Sequence, residues 1–457
     1  MPKNRSRILK IMSVEPALCL YTMVFVMIDS TITNLLLQKK CRFNCTSEPD
    51  LNTPCDDEKQ GILFVSEVNS IYRLSMYLLC SIYVVLAAGW SDIAGRRRRP
   101  LILFPIIGLI CQSVMGCLHT YFWSWPPFTA ALSNLIFDVI SGGIPVINVA
   151  SITYMCDVTD VKSRTMKLGL LSAARTFGDL VGFGSSGFVL RSVGFFYSFF
   201  LCLMLSSMAL VLALFLVEDI SIPVDKKPHI CQFFNLMRIK DATEVVYKKS
   251  LGRNRIVVTM LFVISTSVFI TTQGENGVQY LFLRYKFHWD ERDYSFYVIY
   301  RYIGVIIGNV FCSVILSNIL GVHDGLIGVF AGTWDTIAAF GYLFASQNWH
   351  LYIIPIFDIF HGTAYTASSA FLSKYYNSDE FGRLQSFLTL FGLLIPACHP
   401  IYSEIFRRTL EVFPSSYFIF SIALDVIVVL LYCLSYSLSK KFQTKKAVGQ
   451  EEMPMMM

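Results

Sequence analysis

The stretch GWSDIAGRRRRP, residues 89–100, lies between two long apolar runs and sets four consecutive arginines behind one aspartate and one glycine. Lysine and arginine concentrate on the cytosolic side of membrane proteins, so the arginines alone could be no more than an orientation anchor. Asp92 does not fit that explanation, because an acid adds nothing to such a signal, and its place before Gly95 favours a paired role. Gly95 permits a tight turn between helices, and Pro100 can open the next helix, where its missing N–H is not needed.

The apolar flanks recur along the chain. Of 457 residues, 54% are hydrophobic and 15% charged, and a mean hydropathy of +0.54 excludes an ordinary soluble protein. A helix needs about 20 apolar residues to cross about 30 Å of hydrocarbon. Twelve such runs are read, at approximately 14–37, 67–91, 100–120, 126–154, 165–190, 194–217, 255–283, 294–318, 324–346, 349–373, 382–406 and 414–437. The first is too long for a signal peptide and has no clean small-residue cleavage site, so it is expected to stay in the mature chain. The fold class is an all-α, multi-pass integral membrane protein embedded in a lipid bilayer.

Orientation follows from charge. With the N-terminus in the cytosol, 25 of the 38 basic residues fall on the cytosolic side, 10 fall outside, and Arg73, Arg175 and Arg301 lie within spans. Both termini are therefore expected in the cytosol. The net charge of +6 reflects this topology and implies no nucleic-acid partner. The same topology puts the sequon Asn44-Cys45-Thr46 in the first outer loop, where glycosylation can occur. Cys41, Cys45 and Cys55 share that oxidising side, so one local disulfide among them is expected and the pair is left open. No spacing suggests a metal site, a bound cofactor, a nucleophile elbow or a phosphate loop, so an enzyme is not expected.

Six spans precede the longest cytosolic segment and six follow it. The expected divisions are 1–217 for the first six-helix half, 218–254 for a linker with a basic amphipathic stretch, 255–437 for the second half and 438–457 for a cytosolic tail. GWSDIAGRRRRP resembles the signature loop between the second and third helices of major facilitator transporters, G-x-x-x-D-x-x-G-R-R/K, and falls in that loop. The resemblance implies a gate motif of Gly89, Asp92, Gly95, Arg96 and Arg97, with Asp92 and the Arg96–Arg97 region latching the cytosolic ends of the halves.

A closer resemblance spans nearly the whole chain. VEPALCLYTMVF at 14–25, SDIAGRRRRP at 91–100, ASITYMCDVTDVKSRTMKLGLL at 150–171 and AFLSKYYNSDEFGRLQS at 370–386 are similar to the proton-coupled folate transporter family, solute carrier family 46. It implies a transporter of organic anions and related solutes, often with protons, in plasma or endolysosomal membranes. Ser172, Thr271 and Ser369 stand at or near positions where the folate-carrying branch has an acid, a histidine and an arginine, which argues against folate as the solute.

Charges inside the spans supply the candidate solute and ion site. A charged group at mid-bilayer costs about 2.5–3.5 kcal/mol on insertion scales, so it faces a partner or a polar cavity. Asp138 falls near the midplane of the fourth span, and Arg175 and Asp179 form an i,i+4 pair in the fifth. Glu275 lies in TTQGENGVQY, where Gly274 and Gly277 are expected to weaken the seventh helix. Arg301 could hold an anionic solute or neutralise Glu275. Asp358 and His361, an i,i+3 pair in the tenth span, form a natural proton-sensitive element. Asp29 remains a candidate on the first helix, whereas Asp335 and Asp425, on the ninth and twelfth, are expected to serve packing.

Gly178, Gly182 and Gly187 line one side of the fifth helix, and Gly304 and Gly308 form a G-x-x-x-G in the eighth. Such surfaces let helices approach closely, either between the halves, where they could slide, or within one half. Together these features predict a secondary transporter of a small anionic solute that draws on a proton gradient; the alternative from another class is a receptor of the same fold that binds without transport. Asn44→Gln should collapse a glycosylated species to faster gel mobility, and unchanged wild-type mobility after enzymatic deglycosylation would refute modification at this site.

Overall fold

The computed structural model describes residues 13–41, 58–93, 97–159, 161–218, 255–373 and 398–451. Asn44, Cys45, Cys55 and the amphipathic linker stretch lie outside the described residues. Within them all regular structure is helical. The first half contributes α1 (Glu15–Cys41), α2 (Glu58–Ile93), α3 (Arg99–Tyr121), α4 (Pro127–Ser141), α5 (Gly143–Val158) and α6 (Val161–Leu216). The second contributes α7 (Arg255–Phe287), α8 (Glu291–Val310, continued by a π-helical stretch Phe311–Ile319), α9 (Asp324–Phe344), α10 (His350–Phe357), α11 (Thr363–Ser373), α12 (Cys398–Thr409) and α13 (Tyr417–Glu451).

Among the described residues eight helical segments are long and apolar enough to cross a membrane. The other described elements are compatible with the twelve expected crossings, the eleventh of which, 382–406, lies mostly outside the described residues. The 56-residue α6 contains Gly194 at φ +80°, a conformation that breaks the helix into two spans. The fourth span is α4 plus α5, interrupted where Gly142 and Gly143 take φ of +82° and +52°. The tenth is α10 plus α11, interrupted by a 3-10 turn at Asp358–Phe360 and by Gly362 at φ +77°. Backbone freed from a helix inside a bilayer needs protein or water to satisfy it, so each interruption marks a place that lipid does not reach.

The chain forms two compact units. One is Met1–Ile239 with Leu283–Ile299, and the other is Lys240–Phe282 with Tyr300–Met457. The adjoining ends of α7 and α8, Leu283–Ile299, belong with the first unit. Arg284 explains this: its Nε donates to Glu58 Oε1 at 2.5 Å and its Nη1 to Glu291 Oε1 at 2.6 Å. Arg191 Nη1 donates to Asp290 Oδ2 at 2.6 Å, and the Gly187 N–H donates to Ser295 Oγ at 3.1 Å.

The glycines of α6 divide their work. A Cβ on Gly178 would lie 2.1 Å from Thr22 Oγ1 and 2.3 Å from the Cys19 carbonyl, and one on Gly182 would lie 2.6 Å from the Met23 carbonyl. Both therefore seat α6 on α1, which is packing within the first half. Gly187 alone of the three meets α8, where a Cβ would strike the Glu291 carbonyl at 2.1 Å. In the second unit, Gly308 seats α8 against the Ile359 carbonyl at the tenth-span interruption, where a Cβ would approach to 1.9 Å. Close backbone approach substitutes here for a hydrophobic force that lipid cannot supply. The apolar interior of the second unit joins Leu261 and Ile264 of α7 to Ala331 of α9, Phe371 of α11 and Val428 of α13.

Gly178→Leu should lower the stability of the purified protein by about 1–3 kcal/mol, the cost of overpacking a filled contact. Gly304→Ala, whose Cβ would meet only Ile359 Cγ2 at 3.3 Å, should have the smaller effect on the thermal unfolding midpoint.

Candidate functional site

Most of the gate motif read from the sequence falls outside the described side chains. The side chains of Gly89, Asp92, Gly95 and Arg96 lie outside the described residues, and Arg97 is exposed. The buried arginine is Arg98. Its Nε donates to Asp157 Oδ2 at 3.1 Å at the end of α5, and its Nη1 donates to Ser91 Oγ at 3.0 Å at the end of α2. Asp157 lies in the quoted run ASITYMCDV, so an acid two spans downstream of the four arginines, on the same side of the membrane, was the available signal for this pair. Cys41 is disulfide-bonded, in keeping with a bridge in the first outer loop.

In the first unit the candidate charges separate into three groups. Asp138 is buried at the fourth-span interruption and accepts the Tyr72 hydroxyl of α2. Asp29 accepts Arg73 Nη2 at 2.8 Å, a pairing between α1 and α2 that accounts for both residues. Arg175 and Asp179 form the expected i,i+4 pair at 4.0 Å, and the Arg175 side chain is 45% exposed. That guanidinium is loosely held and open.

The second unit brings its charges together. Arg301 Nε donates to Asp358 Oδ2 at 2.6 Å and its Nη1 donates to Gln279 Oε1 at 3.2 Å. Arg301 thus answers Asp358 and not chiefly Glu275. His361 Nδ1 lies 3.5 Å from Asp358 Oδ1 and 3.8 Å from Asp335 Oδ1, while its Nε2 is 3.4 Å from Thr272 Oγ1. Asp358 and His361 are brought together by the 3-10 turn and not by a regular helical face.

These groups open on one cavity, lined by Glu275, Asp335, Asp358, His361 and Asp425 with apolar walls that include Val268 and Tyr342. Asp335 of α9 and Asp425 of α13, expected from the sequence to serve packing, line this cavity too. The expected break beside Glu275 is absent: α7 runs unbroken from Arg255 to Phe287. Gly274 and Gly277 instead admit the Tyr402 ring and the His399 ring of α12, which a Cβ would meet at 2.3 Å and 2.7 Å. Asp335, Asp358 and His361 also place one potential metal-ligand atom each within 4.8 Å of the others. Asp358 is already held by a guanidinium, whose charge on the same carboxylate disfavours a metal ion there.

The Major Facilitator Superfamily profile matches residues 65–397. The chain belongs to that superfamily and is a membrane transporter. It is 24% identical over 97% of its length, and 98% of the relative, to the Bos taurus "Lysosomal proton-coupled steroid conjugate and bile acid symporter SLC46A3". The Homo sapiens protein of that name is 23% identical over the same shares of the two chains. The Drosophila melanogaster "Probable peptidoglycan muropeptide transporter SLC46" is 21% identical over 80% of this chain and 72% of its own. Among solved structures, the human organic anion transporter MFSD10 (TETRAN) superposes with a TM-score of 0.63 at 13% identity, covering 94% of this chain and all of that one. A D-xylose-proton symporter gives 0.60 at 14% identity, covering 91% and 96%. The relatives agree with the resemblance to solute carrier family 46, and the structures with the facilitator fold.

Arg98→Ala should destabilise the protein by about 3 kcal/mol by leaving Asp157 buried without its cation. Arg97→Ala should leave the thermal midpoint within error of wild type, so equal effects of the two substitutions would refute the assignment of Arg98 as the buried partner.

Proposed function

We propose that the protein is a secondary active transporter that moves an amphipathic organic anion together with protons, in an endolysosomal membrane, with both termini in the cytosol. The observation that carries this reading is the interruption of the fourth and tenth spans, corresponding positions of two six-span halves, each at a buried aspartate. Interrupted helices in matching places are where transporters built from repeats expose backbone and side chains to solute and ion. The sequence contains no phosphate-binding loop, so uphill movement draws on an ion gradient.

The Arg301–Asp358 pair supplies a way to couple the two. An anionic headgroup that pairs with Arg301 displaces Asp358, and a carboxylate stripped of its cation in a low-dielectric cavity favours its neutral form. The incoming negative charge therefore brings a proton with it. His361, beside Asp358 and held by Thr272, is the group that passes the proton on. The names of the cattle and human relatives, which specify bile acids, steroid conjugates and proton coupling, support this solute class. Asp92 and the neighbouring arginines hold one gate state.

Uptake of a bile acid or a steroid sulfate into proteoliposomes, driven by a pH gradient, tests the proposal. Uptake should rise as the donor side is acidified. Arg301→Gln should lower it at least tenfold at every pH, about 1.4 kcal/mol of lost interaction. Asp358→Asn and His361→Ala should flatten the pH dependence while preserving solute exchange at equal pH. Glu404→Gln, on an acid that bonds only locally with Arg407 and Arg408, is the control. Wild-type uptake indifferent to the gradient would refute the coupling, and binding without uptake would make the protein a receptor.

A further inference from the structure

Among the described residues, the cavity of the second unit is lined by more carboxylates than cations. Glu275, Asp335, Asp358 and Asp425 line it with His361, and Arg301 is the one arginine bonded to a lining carboxylate among the described residues. Arg301 is committed to Asp358 at 2.6 Å. A protonated His361 could balance one further carboxylate. Two would still stand uncompensated inside a membrane protein, where each such charge costs several kcal/mol.

Asp335 and Asp425 are two acids of this cavity that make no hydrogen bond among the described residues. Asp425 is only 7% exposed, opens on the cavity, and has no hydrogen bond or ion pair among the described residues. The charges that act on it are those of Glu275 and Asp358, both of like sign. Asp335 Oδ1 is shut off from solvent and lacks a hydrogen-bond partner, with His361 Nδ1 at 3.8 Å, beyond hydrogen-bonding distance. Asp425, Asp358 and Glu275 all act on it through like charge, and Arg301 offsets them. A carboxyl group so placed is stable only in its neutral form or beside a bound cation.

We propose that Asp335 and Asp425 form a second proton-binding site on the same cavity, beyond the Arg301–Asp358 pair. It deepens the proton-coupled reading above, and it names a proton store that the coupling pair can draw on through the shared cavity. Protonation and not a metal ion is the fit, because neither acid is ordered by the hydrogen bonds that fix metal-bound carboxylates.

Infrared difference spectroscopy of the purified full-length protein, titrated with alkali and without solute, reads this directly. Wild type should show the C=O stretch of a protonated carboxylic acid at neutral pH, and Asp335→Asn and Asp425→Asn should each remove part of it. Asparagine matches a neutral aspartic acid in size, so both variants should fold. Ionising these groups costs stability in the folded state alone, so the thermal midpoint of wild type should fall as pH is raised, and that fall should be shallower in each variant. A wild-type spectrum without the band, or a band unchanged in both variants, would overturn the proposal. So would saturable binding of radioactive sodium or manganese that is lost in Asp425→Asn. A band present in a protein whose uptake ignores the pH gradient would instead defeat the coupled-transport reading and leave the proton site standing.

Discussion

The Arg301–Asp358 ion pair, closed at 2.6 Å between two nearly inaccessible side chains, is the interaction on which the polar interior of the second unit depends. An isolated charge of either sign would be prohibitive there, and together the two are tolerable because the guanidinium also reaches Gln279 and the carboxylate lies beside His361. Everything else in the cavity is arranged around a carboxylate that already has its cation. Glu275, Asp335 and Asp425 must find neutrality elsewhere, and that requirement makes the cavity responsive to protons and to an anion that competes for Arg301.

The pair exists because the tenth span is broken. In an unbroken helix, Asp358 and His361 would share a face three residues apart. The 3-10 turn and Gly362 redirect the chain, and close seating of α8 on the Ile359 carbonyl through Gly308 brings Arg301 to the same place. A glycine contact, a helix interruption and an ion pair are thus parts of one construction. The fourth span shows the related pattern with different chemistry: Asp138 precedes Gly142 and Gly143 and is answered by a tyrosine hydroxyl and not by an arginine.

The first unit uses its charges more conventionally. Arg73 with Asp29 and Arg98 with Asp157 join neighbouring helices, and Arg284 and Arg191 tie the ends of α7 and α8 to the same body. Arg175 is the exception. Its half-exposed side chain is held by Asp179 at only 4.0 Å, which leaves it the most available cation of that unit's candidate set.

The sequence by itself determined the membrane class and the superfamily, because span length and the GWSDIAGRRRRP loop are local properties that need no partner to be read. It also singled out Asp138, Arg301, Asp358 and His361, since any charge inside an apolar run is conspicuous. Which charge answers which was decided only by tertiary structure. Arg301 is 57 residues from Asp358 in the chain, Arg98 is 59 from Asp157, and no periodicity within one helix reports a neighbour on another. The same reason kept the surroundings of Asp335 and Asp425 out of reach of the sequence. Their helices look peripheral in sequence order, but the rotation of α9 and α13, set by packing along their length, turns both acids inward to the cavity at the tenth-span interruption.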